Sequence, residues 1–86
     1  MVEKQIQVKL KDGLHARPAA QFVKLLSRYH SDVFLVKNDR KIEAKSIFNL
    51  MSAAVREGDL ITVVADGDDE KEALDFVVKF LQEQNG

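Results

Sequence analysis

The segment Gly13-Leu14-His15-Ala16-Arg17-Pro18-Ala19-Ala20 places an imidazole, a guanidinium and the chain's one proline within four residues. An imidazole can act as a nucleophile, and a guanidinium can hold a phosphate through two parallel hydrogen bonds. Proline fixes φ and lacks an N–H, so it suits the first turn of a helix, where that donor would be unpaired anyway. From Pro18 onward, Ala19, Phe22, Val23 and Leu26 follow a helical period and predict a helix to about Tyr29. Pro18 also biases Arg17 towards an extended conformation. The helix is therefore expected to begin sharply at Pro18, leaving the amides of Ala16 and Arg17 without intrahelical partners.

Those two donors, the positive end of the helix dipole and the Arg17 side chain together favour an anion, and His15 sits where it would be attached or held. The same field favours the neutral, nucleophilic imidazole. A neutral His15 could take a phosphoryl group whose charge would meet donors already aimed at it. Such a transfer asks little covalent chemistry of the protein, so positioning and electrostatics suffice. On these residues alone, His15 is as well described by a surface or capping role. His30, at the other end of the same helix, is an ordinary cation near a helix C-terminus.

Two other groups invite interpretation. Arg17, Gln21, Lys24 and Arg28 form a mainly basic stripe along the first helix, which is either a solvated face or a docking surface for an acidic partner. Ser46 reads as the N-cap of a second helix through about Val55, closed by Gly58. With Ile47, Leu50, Met51 and Ala54 as its buried stripe, Phe48 falls ~100° from Ile47, either as a docking anchor or as the rim of the core.

The elements that must position these groups belong to a single domain spanning residues 1–86, since a chain this short has no room for a second core. Hydrophobic residues at 45% and charged residues at 31% give an ordinary globular balance. The absence of cysteine excludes disulfides and thiolate metal sites, and two histidines at opposite ends of one helix do not suggest a metal. No cofactor is implied. A net charge of −1, with no aromatics interleaved in the basic stripe, argues against direct nucleic-acid binding. No apolar run suggests a signal peptide or membrane insertion, so a cytoplasmic location is expected.

Residues 2–10 alternate as a strand with one wet face, and Asp12-Gly13 breaks it. Residues 32–37 and 40–44 read as two strands joined by a tight Asn38-Asp39 turn. Residues 60–65 form the most apolar strand candidate, expected to be central. The acidic residues 68–70 start a last helix with Leu74, Val77, Val78 and Leu81 as its buried stripe. The expected architecture is α+β, in the order β-α-β-β-α-β-α, with one antiparallel sheet covered on one face by three helices. Phe34 and Val36 would then lie on the uncovered face, as an interaction surface or as ordinary exposed apolar residues.

"GLHARPAA" at 13–20 and "AKSIFNLMSAAV" at 44–55 resemble segments of the histidine-containing phosphocarrier (HPr) proteins of the bacterial phosphoenolpyruvate-dependent sugar phosphotransferase system. The resemblance extends over the whole chain. It implies an open-faced β-sandwich of four antiparallel strands and three helices. It also implies phosphorylation of His15 at Nδ1 by enzyme I and transfer to IIA components of sugar permeases. Arg17 would contact the phosphoryl group, and the amides of Ala16 and Arg17 would help hold it. Such a protein is a stoichiometric carrier rather than a turnover enzyme. In the low-GC Gram-positive branch, the serine matching Ser46 is phosphorylated by HPr kinase/phosphorylase, and the product is a corepressor for a catabolite-control transcription factor.

Gln21, Lys24, Arg28, Ile47, Phe48 and Met51 are the expected partner-binding residues. The sequence departs from the family pattern at Ala20, where many members have Thr, and at Phe48 and Asn49, commonly Met and Gly. Ala20 and the stretch "SDVFL" are similar to the catabolite-repression paralogue of HPr, known as Crh, which usually replaces the active-site histidine and keeps the regulatory serine. This chain has both. The alternative to a sugar-transport carrier is therefore a regulatory paralogue acting mainly through phospho-Ser46.

Overall fold

The computed structural model describes residues 1–83. Strand β1 (Val2–Gln7) is followed by helix α1 (Ala16–Leu26), strands β2 (Asp32–Lys37) and β3 (Arg40–Glu43), and helix α2 (Ile47–Ala53). Strand β4 (Leu60–Asp66) and helix α3 (Glu70–Gln82) complete the expected order. The sheet runs β1-β4-β2-β3 and is antiparallel throughout. β4 lies inside it, as its apolar run predicts. Asn38 and Asp39 both adopt positive φ (50° and 66°), which matches the right-handed twist of a β2–β3 hairpin.

The register sets Ile6 opposite Ile61, and Leu35 opposite both Val63 and Ile42. These side chains form the floor of the core, all 4% exposed or less. α1 closes it with Ala19, Phe22 and Leu26, and α3 with Ala73, Val77 and Leu81. Leu74 and Val78, expected on the buried stripe of α3, are half-buried at its edge, because Ala73 occupies the centre line. Phe22 lies 5.1 Å from Phe80 and 6.0 Å from Phe76, and Tyr29 5.7 Å from Phe76, so an aromatic layer joins α1 to α3. On the uncovered face, Phe34 and Val36 are half-buried, and the Lys41 ammonium stands 4.0 Å above the Phe34 ring.

Several boundaries differ from expectation. β1 ends at Gln7, not Leu10, because the chain leaves β4 to tie down the end of α3. The amides of Lys9 and Leu10 both donate to Leu81 O, at 2.8 and 3.0 Å. α1 starts at Ala16, two residues before Pro18, so Arg17 is helical rather than extended. Proline is tolerated there because the third helical position also lacks an intrahelical acceptor for its N–H. The helix stops at Leu26, short of Tyr29, and Lys45 Nζ donates to Tyr29 O at 2.8 Å beyond it.

Helix α2 does not run to Val55, nor does Gly58 close it. It ends at Ala53, with Ala54 as C-cap in the left-handed region (φ 53°). Its buried stripe also differs: Leu50 alone is fully buried, while Ile47 and Met51 face outward, at 39% and 47% exposure. So short a helix needs only one core anchor, and half-buried Ala53 and Ala54 complete its inner side.

Two interlocks fix the loops at the ends of α1. At its start, Leu14 N donates to Val55 O at 3.0 Å, and a Cβ on Gly13 would lie 2.3 Å from that oxygen and 2.6 Å from Arg56 Cα. Gly13 also has φ +67°, so glycine is required twice over. The opposing loop is itself tied: Lys37 Nζ donates to Ala54 O at 2.9 Å and pairs with Asp59 at 2.8 Å. Asp59 in turn accepts from the Arg56 amide at 2.8 Å. Desolvation opposes ionisation of Asp59, but Lys37 and the Arg56 amide outweigh it and hold the carboxyl below its ordinary range. Beyond the far end of α1, Asp69 accepts from the His30 and Ser31 amides, both at 2.9 Å, and from Ser31 Oγ.

The Ser31 hydroxyl and then the His30 amide lower the Asp69 carboxyl from 3.8 to about 2. A depressed carboxylate contributes stability that is complete above its unfolded value and is lost as pH falls through 3.8 towards 2. Thermal melts across that window are expected to show a shallower loss for Asp69→Asn than for wild type; parallel curves would contradict this. Gly13→Ala adds a left-handed side chain and a backbone clash, costing about 3 kcal/mol and lowering Tm by more than ~10 °C. Calorimetry checks this, and an unchanged Tm would contradict the interlock.

Candidate functional site

His15 is the N-cap of α1, with extended backbone (φ −85°, ψ −175°), and its carbonyl accepts the first helical hydrogen bond from Ala19 at 2.8 Å. Its side chain makes no capping bond and is exposed. Among the described residues, no hydrogen bond engages the amides of Ala16 or Arg17. With proline at the third position, these two are the free donors of the first turn. An accessible imidazole therefore stands beside two exposed, unpaired N–H groups at the positive end of an eleven-residue helix.

A shallow groove of about 270 Å³ runs from His15 and Ala16 across to Met51, Ala54, Val55 and Arg56, with Asp12 and Leu14 on its near wall. Met51 is thus brought to the histidine. Arg17 lines a different groove of about 480 Å³, between α1 and α3, with Gln21 and the side chains Phe76, Lys79 and Phe80. Asp12 and Arg56, both at the histidine groove, are not found by reading the sequence. Arg56 is distant in the chain and sits in a turn, so only the fold joins it to His15.

No acidic residue occurs between Leu14 and His30. Arg17, Gln21, Lys24 and Arg28 are all exposed, and none of the three cations forms an ion pair among the described residues. α2, packed against α1, bears no charge at all and exposes Ile47, Phe48 (76%) and Met51. Phe48 is thus fully outside the core rather than at its rim. Ser46 caps α2 as expected, accepting from the Asn49 amide at 3.3 Å, and is half-buried. One side of the molecule combines a basic helix with an uncharged, apolar one. No helix among the described residues is long and apolar enough to cross a membrane.

Comparison with known proteins agrees with this geometry. The family profile described as "PTS HPr component phosphorylation site" matches residues 2–83. The HPr-like protein Crh of Bacillus subtilis is 50% identical over 84 residues, covering 98% of this chain and 99% of its own. The phosphocarrier protein HPr of Vibrio cholerae is 36% identical over 83 residues, covering 96% and 98%. The crystal structure of a phosphocarrier protein HPr from Bacillus anthracis superposes with a TM-score of 0.90 at 44% identity, covering 94% of this chain and 96% of that one. The order of elements, the open sheet and the histidine at the head of α1 thus have one explanation: the chain belongs to the HPr family of the phosphotransferase system.

Proposed function

We propose that the chain is a phosphoryl carrier that accepts phosphate from phosphorylated enzyme I on His15 and passes it to a IIA component of a sugar permease. The observation that carries this reading is the exposed, uncapped imidazole beside the free amides of Ala16 and Arg17. In the transfer, the lone pair of the neutral imidazole, at Nδ1 by family resemblance, forms a bond to phosphorus. The donor's bond to phosphorus breaks and its atom leaves with the bonding pair. Nothing is oxidised or reduced. The two amides receive the equatorial oxygens, and the reverse sequence at IIA returns the carrier to its starting state.

Arg17, which lines the groove towards α3, would join them from the adjoining face of α1. An exposed arginine without an ion pair can turn at little cost. The basic face of α1, with Gln21, Lys24 and Arg28, suits an acidic partner, while Ile47, Phe48 and Met51 supply apolar contact.

Regulation at Ser46 is the second part of the reading, and the similarity to Crh supports it alongside the carrier role rather than in its place. A phosphate at this N-cap is favoured by the helix dipole, so modification by HPr kinase/phosphorylase leaves the fold intact. It introduces charge into an otherwise uncharged helix, which repels an acidic enzyme I and creates a distinct surface for a catabolite-control transcription factor. The action is that of a cytoplasmic carrier and signal protein.

Phosphoenolpyruvate with enzyme I is expected to give an acid-labile label that His15→Ala abolishes. ATP with HPr kinase should give an acid-stable label that Ser46→Ala abolishes, with the far-ultraviolet circular dichroism of the protein unchanged. A wild-type protein left unlabelled under conditions that label an authentic HPr would defeat the carrier reading. An acid-stable label surviving in Ser46→Ala would move the regulatory site.

A further inference from the structure

The two arginines nearest His15 are divided between two grooves. Arg17, close in sequence, lines the one towards α3, whereas Arg56, brought in by the fold, shares the histidine's own groove with Ala16. We propose that Arg56 is a second guanidinium ligand of the phosphoryl group on His15, closing the site from the α2 side. The inference rests on the carrier reading and adds a residue to it.

The backbone of Arg56 is held in place for this role. Its Cα lies 2.6 Å from where a Gly13 Cβ would stand, so it packs directly on the loop that delivers His15. Its amide is bonded to Asp59, which Lys37 fixes in turn. These ties use main-chain atoms only, and they leave the side chain exposed, with no ion pair among the described residues. A guanidinium anchored at Cα and held in no ion pair can turn to an anion without remodelling the fold.

The charged groups facing the phosphoryl position are few. Asp12 and Arg56 share the groove with His15, Asp59 lies close enough to Arg56 to feel its charge, and Arg17 sits on the adjoining face of α1. Asp12 repels a dianion. Arg56 is the cation in the same groove, and a phosphoryl group on His15 offers it three acceptor oxygens and a greater charge than a carboxylate.

The test is phosphorus NMR of the enzyme I-phosphorylated chain, titrated to read the second ionisation of the phosphoryl group. Nearby positive charge lowers that ionisation, so Arg56→Gln should raise it. The equilibrium constant for phosphorylation by enzyme I should fall about two- to fivefold, within the range for an ion pair at an exposed site. Arg56→Lys keeps the charge without the fork and should fall between wild type and Arg56→Gln. Arg40→Gln, which removes the same charge from the start of β3, controls for net charge and should leave both readings unchanged.

Wild-type labelling with an unaltered titration in Arg56→Gln, or an equal change in Arg40→Gln, would overturn this proposal while leaving the carrier intact. Failure of the wild type to be labelled would instead overturn the reading on which it rests.

Discussion

The structure depends on a backbone contact made where no side chain fits. Gly13 presses against the Val55 carbonyl and Arg56 Cα, and Leu14 donates to the same carbonyl. This contact sets the direction in which the chain enters α1, and therefore where the His15 imidazole and the next two amides stand. Because Pro18 has no N–H, the first-turn residues of α1 whose amides find no acceptor among the described residues are Ala16 and Arg17, next in the chain after the histidine. The other side of the contact is secured by Lys37, which links the end of α2 to Asp59 and so to the Arg56 amide. A small sheet with three helices provides the rigidity, and the site itself is a meeting of two loops.

Charge and apolar surface are sorted with equal consistency. α1 shows the solvent cations without acids, and α2 shows it apolar side chains without charge. That pairing serves the proposed carrier, which must be recognised quickly by one partner and released to another: long-range attraction speeds encounter, and a modest apolar contact fixes orientation. It would also give the proposed modification of Ser46 its leverage. A dianion placed on an uncharged helix alters the local field far more than the same group among existing charges, and at an N-cap it does so without unwinding the helix.

Much of this was legible in the sequence. Period-two alternation located β1 though not its end, the paired turn residues Asn38 and Asp39 located the hairpin, and the change to helical period from Pro18 onward located α1 to within two residues of its start. Ser46 was readable as a cap because its side chain bonds locally. What failed to read through depends on contacts between distant segments. Leu10 looks like part of a strand but is buried under the end of α3. Ile47 and Met51 fit a buried stripe, yet the helix is too short to need them. Pro18 marks a helix start, and the restriction it places on Arg17 gives way inside a first turn that the rest of α1 supports. Arg56 had no local signature, since its relation to His15 exists only once two loops have met.

The central claim is that amides oriented in advance of the reaction receive the phosphoryl group on His15. Proton–nitrogen correlation spectra of the chain before and after phosphorylation by enzyme I test it most directly. The account predicts large downfield shifts and slowed solvent exchange for the Ala16 and Arg17 amides, with the Leu81-bonded amides of Lys9 and Leu10 unmoved. A phosphorylated protein in which the Ala16 and Arg17 resonances stay at their original positions would contradict it.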